Sequence, residues 1–279
     1  NIGGYAFDAC YSLTTVYFKG NAPNAGFNVF RDSPVTIYHY QEATEWPPVP
    51  SFWAGCPTAL WLQDPDYTFT VNPSDANTIT ITHYTGSGGD VDIPFKIEGK
   101  IVTSIGSNAF SQCTSLTDIT IPDSVTSIGN AAFSGCDKLT TITIPPSVTN
   151  IGALAFAPCA NLHEISVGAD NAFYSSSDGV LFNKGQTTLI QCPAGKTGSY
   201  TIPEGVTNIW DQSFRGCIGI SSIIIPATLT SIGSSVLLEC AGLVEISVNE
   251  TNLVFSSSDG ALFNKGLSTL LHFPMGRSG

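Results

Sequence analysis

Eight cysteines and four histidines are the residues of this chain best suited to chemistry. A zinc site needs ligands converging at C-x₂₋₄-C spacing, and no such spacing occurs. Instead Cys10, Cys113, Cys136, Cys159, Cys217 and Cys240 share one place in a recurring phrase, flanked by small apolar residues. Side chains at one place of a repeat point the same way, so these read as free buried thiols acting as small hydrophobes, not as a disulfide framework. Cys56 and Cys192 lie off that column, and a bridge at either is the alternative left open. The histidines, His39, His83, His163 and His272, are scattered, and His163-Glu164 lacks the second His of a metalloprotease motif. No phosphate loop, G-x-G-x-x-G or Asp-rich calcium loop occurs. Asp90 and Asp92 in "GGDVDIP" offer two carboxylates to a calcium ion, with a solvated turn as the simpler reading. The expectation is a chain with no catalytic residue, no metal ligand and no cofactor.

Composition narrows the partners. The net charge is −12 with only 10 Lys plus Arg, which argues against nucleic acid and anionic lipid surfaces. Charged residues are 11% of the 279, well below the usual share of about 25%. Thr, Ser, Asn and Gly cover the surface instead, a common look for exported bacterial proteins, so the chain is expected to be secreted or displayed at a cell surface. No run of about 18 apolar residues is present, and no membrane insertion is expected.

The elements that must hold these residues come from a repeat. "SIGSNAFSQCTSLTDITIPDSVT" at residues 104–126 is followed by "SIGNAAFSGCDKLTTITIPPSVT" at 127–149, a period of 23. Alignment gives an Ile column (Ile105, Ile128, Ile151, Ile209, Ile232) and a Gly column (Gly106, Gly129, Gly152, Gly233), the latter broken by Trp210. A Phe column follows (Phe7, Phe110, Phe133, Phe156, Phe214), then the cysteines, then leucine (Leu13, Leu116, Leu139, Leu162, Leu243). "LTDITIP" alternates as a strand with one buried face does, and Pro122, Pro145 and Pro226 end such strands. The "NAAFSGC" segment, residues 130–136, predicts one short helical turn. Each unit is then one coil of a solenoid, and no coil buries its apolar side without a neighbour.

The phrase I-G-x-x-A-F-x-x-C-x-x-L-x-x-I-x-I-P resembles the bacterial BspA-type leucine-rich repeat, the 23-residue class also seen in a Treponema surface protein. The resemblance implies a right-handed solenoid with a parallel β-sheet on its concave side, and a secreted or surface-attached adhesin or binding protein.

A larger period lies on top. "EISVGADNAFYSSSDGVLFNKGQTTLIQCPAGKTG" from Glu164 returns 81 residues later from Glu245. Its Asp-Gly and Asn-Lys-Gly pairs predict tight turns, hence three-stranded β-meanders inserted at about 165–200 and 246–279. The expected organisation is the end of a first array with a Trp/Pro-rich cap (1–62), a β-hairpin junction (63–100), and a second array (101–279). The chain starts at Asn1 inside a repeat and stops where another "SYTIP" is expected, so it reads as a piece of a longer protein. Open solenoid ends of this kind are expected to self-associate.

Two surfaces are candidates for binding. The outward positions of the concave strands form a polar, hydroxyl-rich, mildly acidic strip: Asp118, Thr120, Thr141, Thr143, His163, Glu164, Ser166, Ser222, Glu245 and Ser247. A protein or extracellular-matrix ligand is the expected partner there. The alternative is a glycan, stacked on Trp46, Trp53 and Trp61 with Phe52 and Tyr67, which would make the chain a carbohydrate-binding or accessory region of a polysaccharide-degrading enzyme. Packing of those rings as a cap is the plainer role for them.

Overall fold

A computed structural model describes residues 1–18, 21–39, 45–47, 51–60 and 66–277. Among them the secondary structure is strand and turn, with no helix. The chain divides into two compact units, residues 1–65 with 96–100, and residues 66–95 with 101–279.

In the first unit, Thr15–Phe18, Thr36–His39 and Cys56–Leu60 run parallel in that order, and Ser51–Trp53 closes the sheet antiparallel to Cys56–Leu60. The stretch after Gly20 departs from the 23-residue phrase, yet residues 24–39 form a coil stacked on residues 2–18. Tyr5 N–H donates to Phe27 O at 3.0 Å, Phe7 N–H to Val29 O at 2.8 Å and Ala9 N–H to Arg31 O at 2.8 Å. Phe30 stacks on Phe7 with centroids 5.2 Å apart. Ser33 takes the cysteine place, and its hydroxyl donates to Phe7 O at 2.6 Å. Of the stretch read as a cap, residues 40–44, 48–50 and 61–62 lie outside the described residues, Trp61 among them, as do residues 63–65 of the expected junction.

Two sets of strands join coils in the second unit. One carries the Ile column: Lys100–Ile105, Ser127–Ile128 and Asn150–Ile151 are parallel, with Ile105 opposite Ile128 and Ile128 opposite Ile151. The hairpin of Tyr67–Asn72 and Asp75–Tyr84 stands in for a preceding coil, Ile81 pairing with Ile105 and Tyr84 stacking on Phe110 at 5.1 Å. The other comprises the alternating strands, in three sheets. Gly89–Asp92 pairs with Leu116–Thr120, Thr141–Ile144 with Glu164–Val167, and Gly198–Thr201 with Ile220–Ile225 and then Glu245–Val248. Their inward residues, such as Leu116, Ile142, Ile165 and Ile223, are buried together with Phe110, Phe133, Phe156 and Phe214. Each such side chain contributes about 1.5–3 kcal/mol of burial energy, and it gains this only because the next coil covers it.

The segment expected as a helical turn is not helical. Asn108 and Gln112 have φ of 59° and 62°, and alternate N–H groups leave the coil: Asn108 donates to Asn130 O, Phe110 to Ala132 O and Gln112 to Ser134 O, at 2.7–2.9 Å. A helix would keep those donors to itself, whereas stacking spends them between coils. The Gly column follows from the same closeness: a Cβ on Gly129 would meet Ser107 N at 2.5 Å, and one on Gly152 would meet Asn130 N at 2.4 Å. A threonine outside the read columns adds a clip, since the hydroxyls of Thr126 and Thr149 donate to the carbonyl one coil back, Thr103 O and Thr126 O, at 3.2 and 3.3 Å.

The cysteine column acts as a row of donors. Cys136 Sγ lies 3.1 Å from Phe110 O, Cys159 Sγ 3.0 Å from Phe133 O and Cys240 Sγ 3.0 Å from Phe214 O, the bond that Ser33 makes to Phe7. All eight cysteines, Cys56 and Cys192 included, are free thiols. Burial pushes the Cys240 thiol up to about 12, and burial also raises Cys56 and Cys113.

The inserted modules are antiparallel meanders: Tyr174–Ser177, Val180–Asn183 and Thr188–Gln191, then Phe255–Ser258, Ala261–Asn264 and Leu270–His272. Asp178-Gly179 and Asp259-Gly260 turn with both φ positive, as Asp-Gly hairpins do. Each module is pinned by a fully buried asparagine. Asn171 Nδ2 donates to Pro145 O (2.9 Å) and Val148 O (3.0 Å), while its Oδ1 accepts Phe173 N–H and Tyr174 N–H, both at 2.8 Å. Asn252 repeats this on Pro226 O, Leu229 O, Val254 N–H and Phe255 N–H.

Two measurements check this account. Asn171→Ala strands four backbone groups, three of them in buried bonds, so the chemical unfolding midpoint should fall by the equivalent of about 3 kcal/mol, with Asn252→Ala behaving alike. In a thiol titration of the native protein at pH 8, the half-buried Cys10 and Cys113 should be the accessible pair, and the six buried thiols should react only on unfolding.

Candidate binding surface

The alternation that buries Ile119, Ile142, Ile165 and Ile246 turns their neighbours outward. Asp118 and Thr120 are exposed on Leu116–Thr120, in register with Asp90 and Asp92 of Gly89–Asp92, and Thr117 Oγ1 donates to Asp90 Oδ1 at 2.8 Å. The two carboxylates read as a calcium option therefore lie on a strand beside Asp118. Among the described residues no group of three or more His, Cys, Asp or Glu is arranged to hold a metal ion.

The next sheet brings four of the expected residues together. Thr141 stands opposite Glu164 and Thr143 opposite Ser166. The Ser166 hydroxyl donates to Glu164 Oε1 at 2.7 Å, which fixes the carboxylate over the sheet. His163 is exposed just before this strand, its Nδ1 3.4 Å from Asn161 O. In the third sheet Ser222 stands opposite Glu245, and Ile224, itself exposed, opposite Ser247. Ser247 donates to Glu245 Oε1 at 3.1 Å, so the tied carboxylate recurs one super-repeat on.

The ten expected residues thus fall on three sheets. The meander causes one of the breaks: its hairpin turn takes the outer edge of Glu164–Val167, with Ile165 N–H donating to Gly179 O at 2.9 Å, and Ile246 N–H does the same to Gly260 O at 2.8 Å. Residues outside the expected set fill the break. Lys196 Nζ is 2.8 Å from Asp178 Oδ2 and 5.4 Å from the Tyr200 ring centroid, and the hydroxyl of Ser199 lies 2.7 Å from that of the expected Ser222. The return of Asp178 and Lys196 as Asp259 and Arg277, 81 residues on, is the sequence signal that marks them.

The tryptophans sit differently. Trp46 stacks on His39 with centroids 4.7 Å apart and planes 4° apart, and touches Phe18 and Trp53 at 5.1 and 5.0 Å. Trp53 meets Phe18 edge-on at 5.5 Å, and both rings pack on the core of the first unit. Phe52 is 69% exposed. Tyr67 lies on Tyr67–Asn72, with its ring near those of Tyr84 and Phe110, at 5.3 and 6.2 Å.

The profile of the BspA type leucine rich repeat region matches residues 1–46, 93–195 and 192–265, in six copies. No curated protein matches the chain. Among solved structures, it is similar to the T. pallidum leucine rich repeat protein (26% identity, 65% of this chain and 68% of that one, TM-score 0.41). It is also similar to the pneumococcal vaccine antigen PcpA (21%, 68% and 70%, TM-score 0.44), and to a leucine rich cell surface protein from Faecalibacterium prausnitzii (25%, 66% and 75%, TM-score 0.34). The family profile spans most of the sequence, and the chain belongs to the BspA type leucine rich repeat family.

Proposed function

We propose that this chain is a non-catalytic binding module of a secreted or cell-surface protein, and that it holds a protein or matrix ligand on the outward face of its parallel strands. The observation that carries this reading is the pair of tied carboxylates, Glu164 with Ser166 and Glu245 with Ser247, repeated on rigid sheets 81 residues apart. A carboxylate already held in one geometry loses little freedom when a partner's Lys or Arg meets it. Thr141, Thr143 and Ser222 beside them supply hydroxyls that donate or accept. Asp90, Asp92 and Asp118 extend the acidic character, which suits a basic partner surface. The glycan reading through Trp46 and Trp53 has less support, because His39, Phe18 and the core already occupy their rings.

The test is an array of matrix and cell-surface proteins probed with the purified chain. A saturable hit should weaken at least about tenfold in the Glu164→Lys, Glu245→Lys double variant, and should weaken with added salt, while the thermal midpoint stays put. Binding that survives both changes and disappears with Trp46→Ala would overturn the strand-face reading.

A further inference from the structure

The Gly column holds because the preceding coil turns directly beneath it, at Ser107 under Gly129, Asn130 under Gly152 and Asp211 under Gly233. At one place the column carries Trp210 instead, 38% exposed. Its N–H donates to Leu189 O at 3.0 Å, so its ladder neighbour is the third meander strand, Thr188–Gln191.

Across from Trp210 the previous stack of coils ends. Ala131 and Phe133 donate their N–H groups to Ala153 O and Ala155 O of the following coil, at 2.9 and 2.8 Å. The next donors in that register are Leu154 and Phe156, and among the described residues no carbonyl accepts either N–H. The ladder beside them is closed, since Ile151 N–H donates to the Tyr174 hydroxyl at 3.0 Å. A cavity of about 400 Å³ lies between the two walls, lined by Leu154 and Phe156 on one side and by Gln191, Asn208, Trp210 and Asp211 on the other.

The chemistry of the walls selects a ligand. One wall offers backbone donors. The opposite wall offers the Asp211 carboxylate, of which Oδ1 is committed to Ser234 N–H at 2.6 Å and Oδ2 is not. Gln191 is buried with its Nε2 held on Cys192 O and Ser213 O at 3.0 and 3.1 Å, which fixes the plane of its amide. A hydroxyl group donates and accepts, so it satisfies both walls at once. Trp210 adds the apolar ring on which the C–H face of a sugar stacks. The volume lies toward the small end of ligand pockets.

We propose that this cleft binds a mono- or disaccharide, stacked on Trp210 and hydrogen-bonded between the N–H groups of Leu154 and Phe156 and the Asp211 carboxylate. The site is independent of the strand face proposed above. An extended peptide could also accept those two N–H groups, but it has no use for the ring and the fixed polar side chains together.

The test titrates the intact chain with methyl glycosides of glucose, galactose, mannose and N-acetylglucosamine and their common disaccharides, followed by amide NMR and tryptophan fluorescence. At least one sugar should shift the Leu154 and Phe156 amides saturably. Trp210→Gly restores the residue of the repeat, so it should keep the thermal midpoint while weakening that sugar at least about tenfold. Asp211→Asn should weaken it also, and Trp210→Phe should retain most of the binding. The proposal fails if no sugar moves these amides, if Trp210→Gly leaves the affinity unchanged, or if a library of extended peptides moves them and the sugars do not.

Discussion

Every other feature of the second unit depends on the backbone hydrogen bonds that pass from one coil to the next. Phe110 to Ala132 and Phe133 to Ala155 are the same bond at successive steps. It exists only if neighbouring backbones approach closely, which sets glycine at 129 and 152 and a small donor at 136 and 159. It also commits the N–H groups of the turn segment outward, so that segment cannot close into a helix. The Phe stack and the buried isoleucines then contribute their burial energy as a result of the approach, because a coil standing alone would leave them in water.

Much of this architecture was legible in the sequence, because a column records a contact that recurs identically at each step. The strands, their inward faces, the free thiols and the meander turns at Asp178 and Asp259 could all be read in this way. What escaped was of three kinds. The coil at residues 24–39 was hidden because Ser33 stands where cysteine was sought; a hydroxyl and a thiol make the same bond to a Phe carbonyl but look unlike in an alignment. Asn171 and Asn252 were hidden because each occurs once per super-repeat, and their four bonds run to backbone groups that have no sequence signature. The helical turn was misread since small apolar residues at helical spacing say nothing about where the N–H groups go.

The surface residues were legible one by one but not as a set. Alternation identifies Thr141 or Glu245 as outward, whereas the division into three sheets depends in part on where the hairpin at Gly179 comes to rest. That same insertion does two things. It interrupts the polar face with Asp178 and Lys196, and on another side of the coil it holds two stacks apart and leaves the cleft at Trp210. A single module thus sets both candidate sites, which explains why a break in a glycine column and a break in a strand face occur in the same 81-residue period.

The direction of the inter-coil bonds has a mechanical consequence. They lie along the stacking direction, so tension along it pulls an end coil away bond by bond, as in opening a zipper, and does not slide strands past one another in shear. Under such tension the second unit yields coil by coil. A coil of 23 residues that lets go lengthens the chain by roughly 70 Å, while the coils behind it keep their core. Peeling of the end coil, one coil after another, is thus the opening that this geometry favours over shearing of the whole stack.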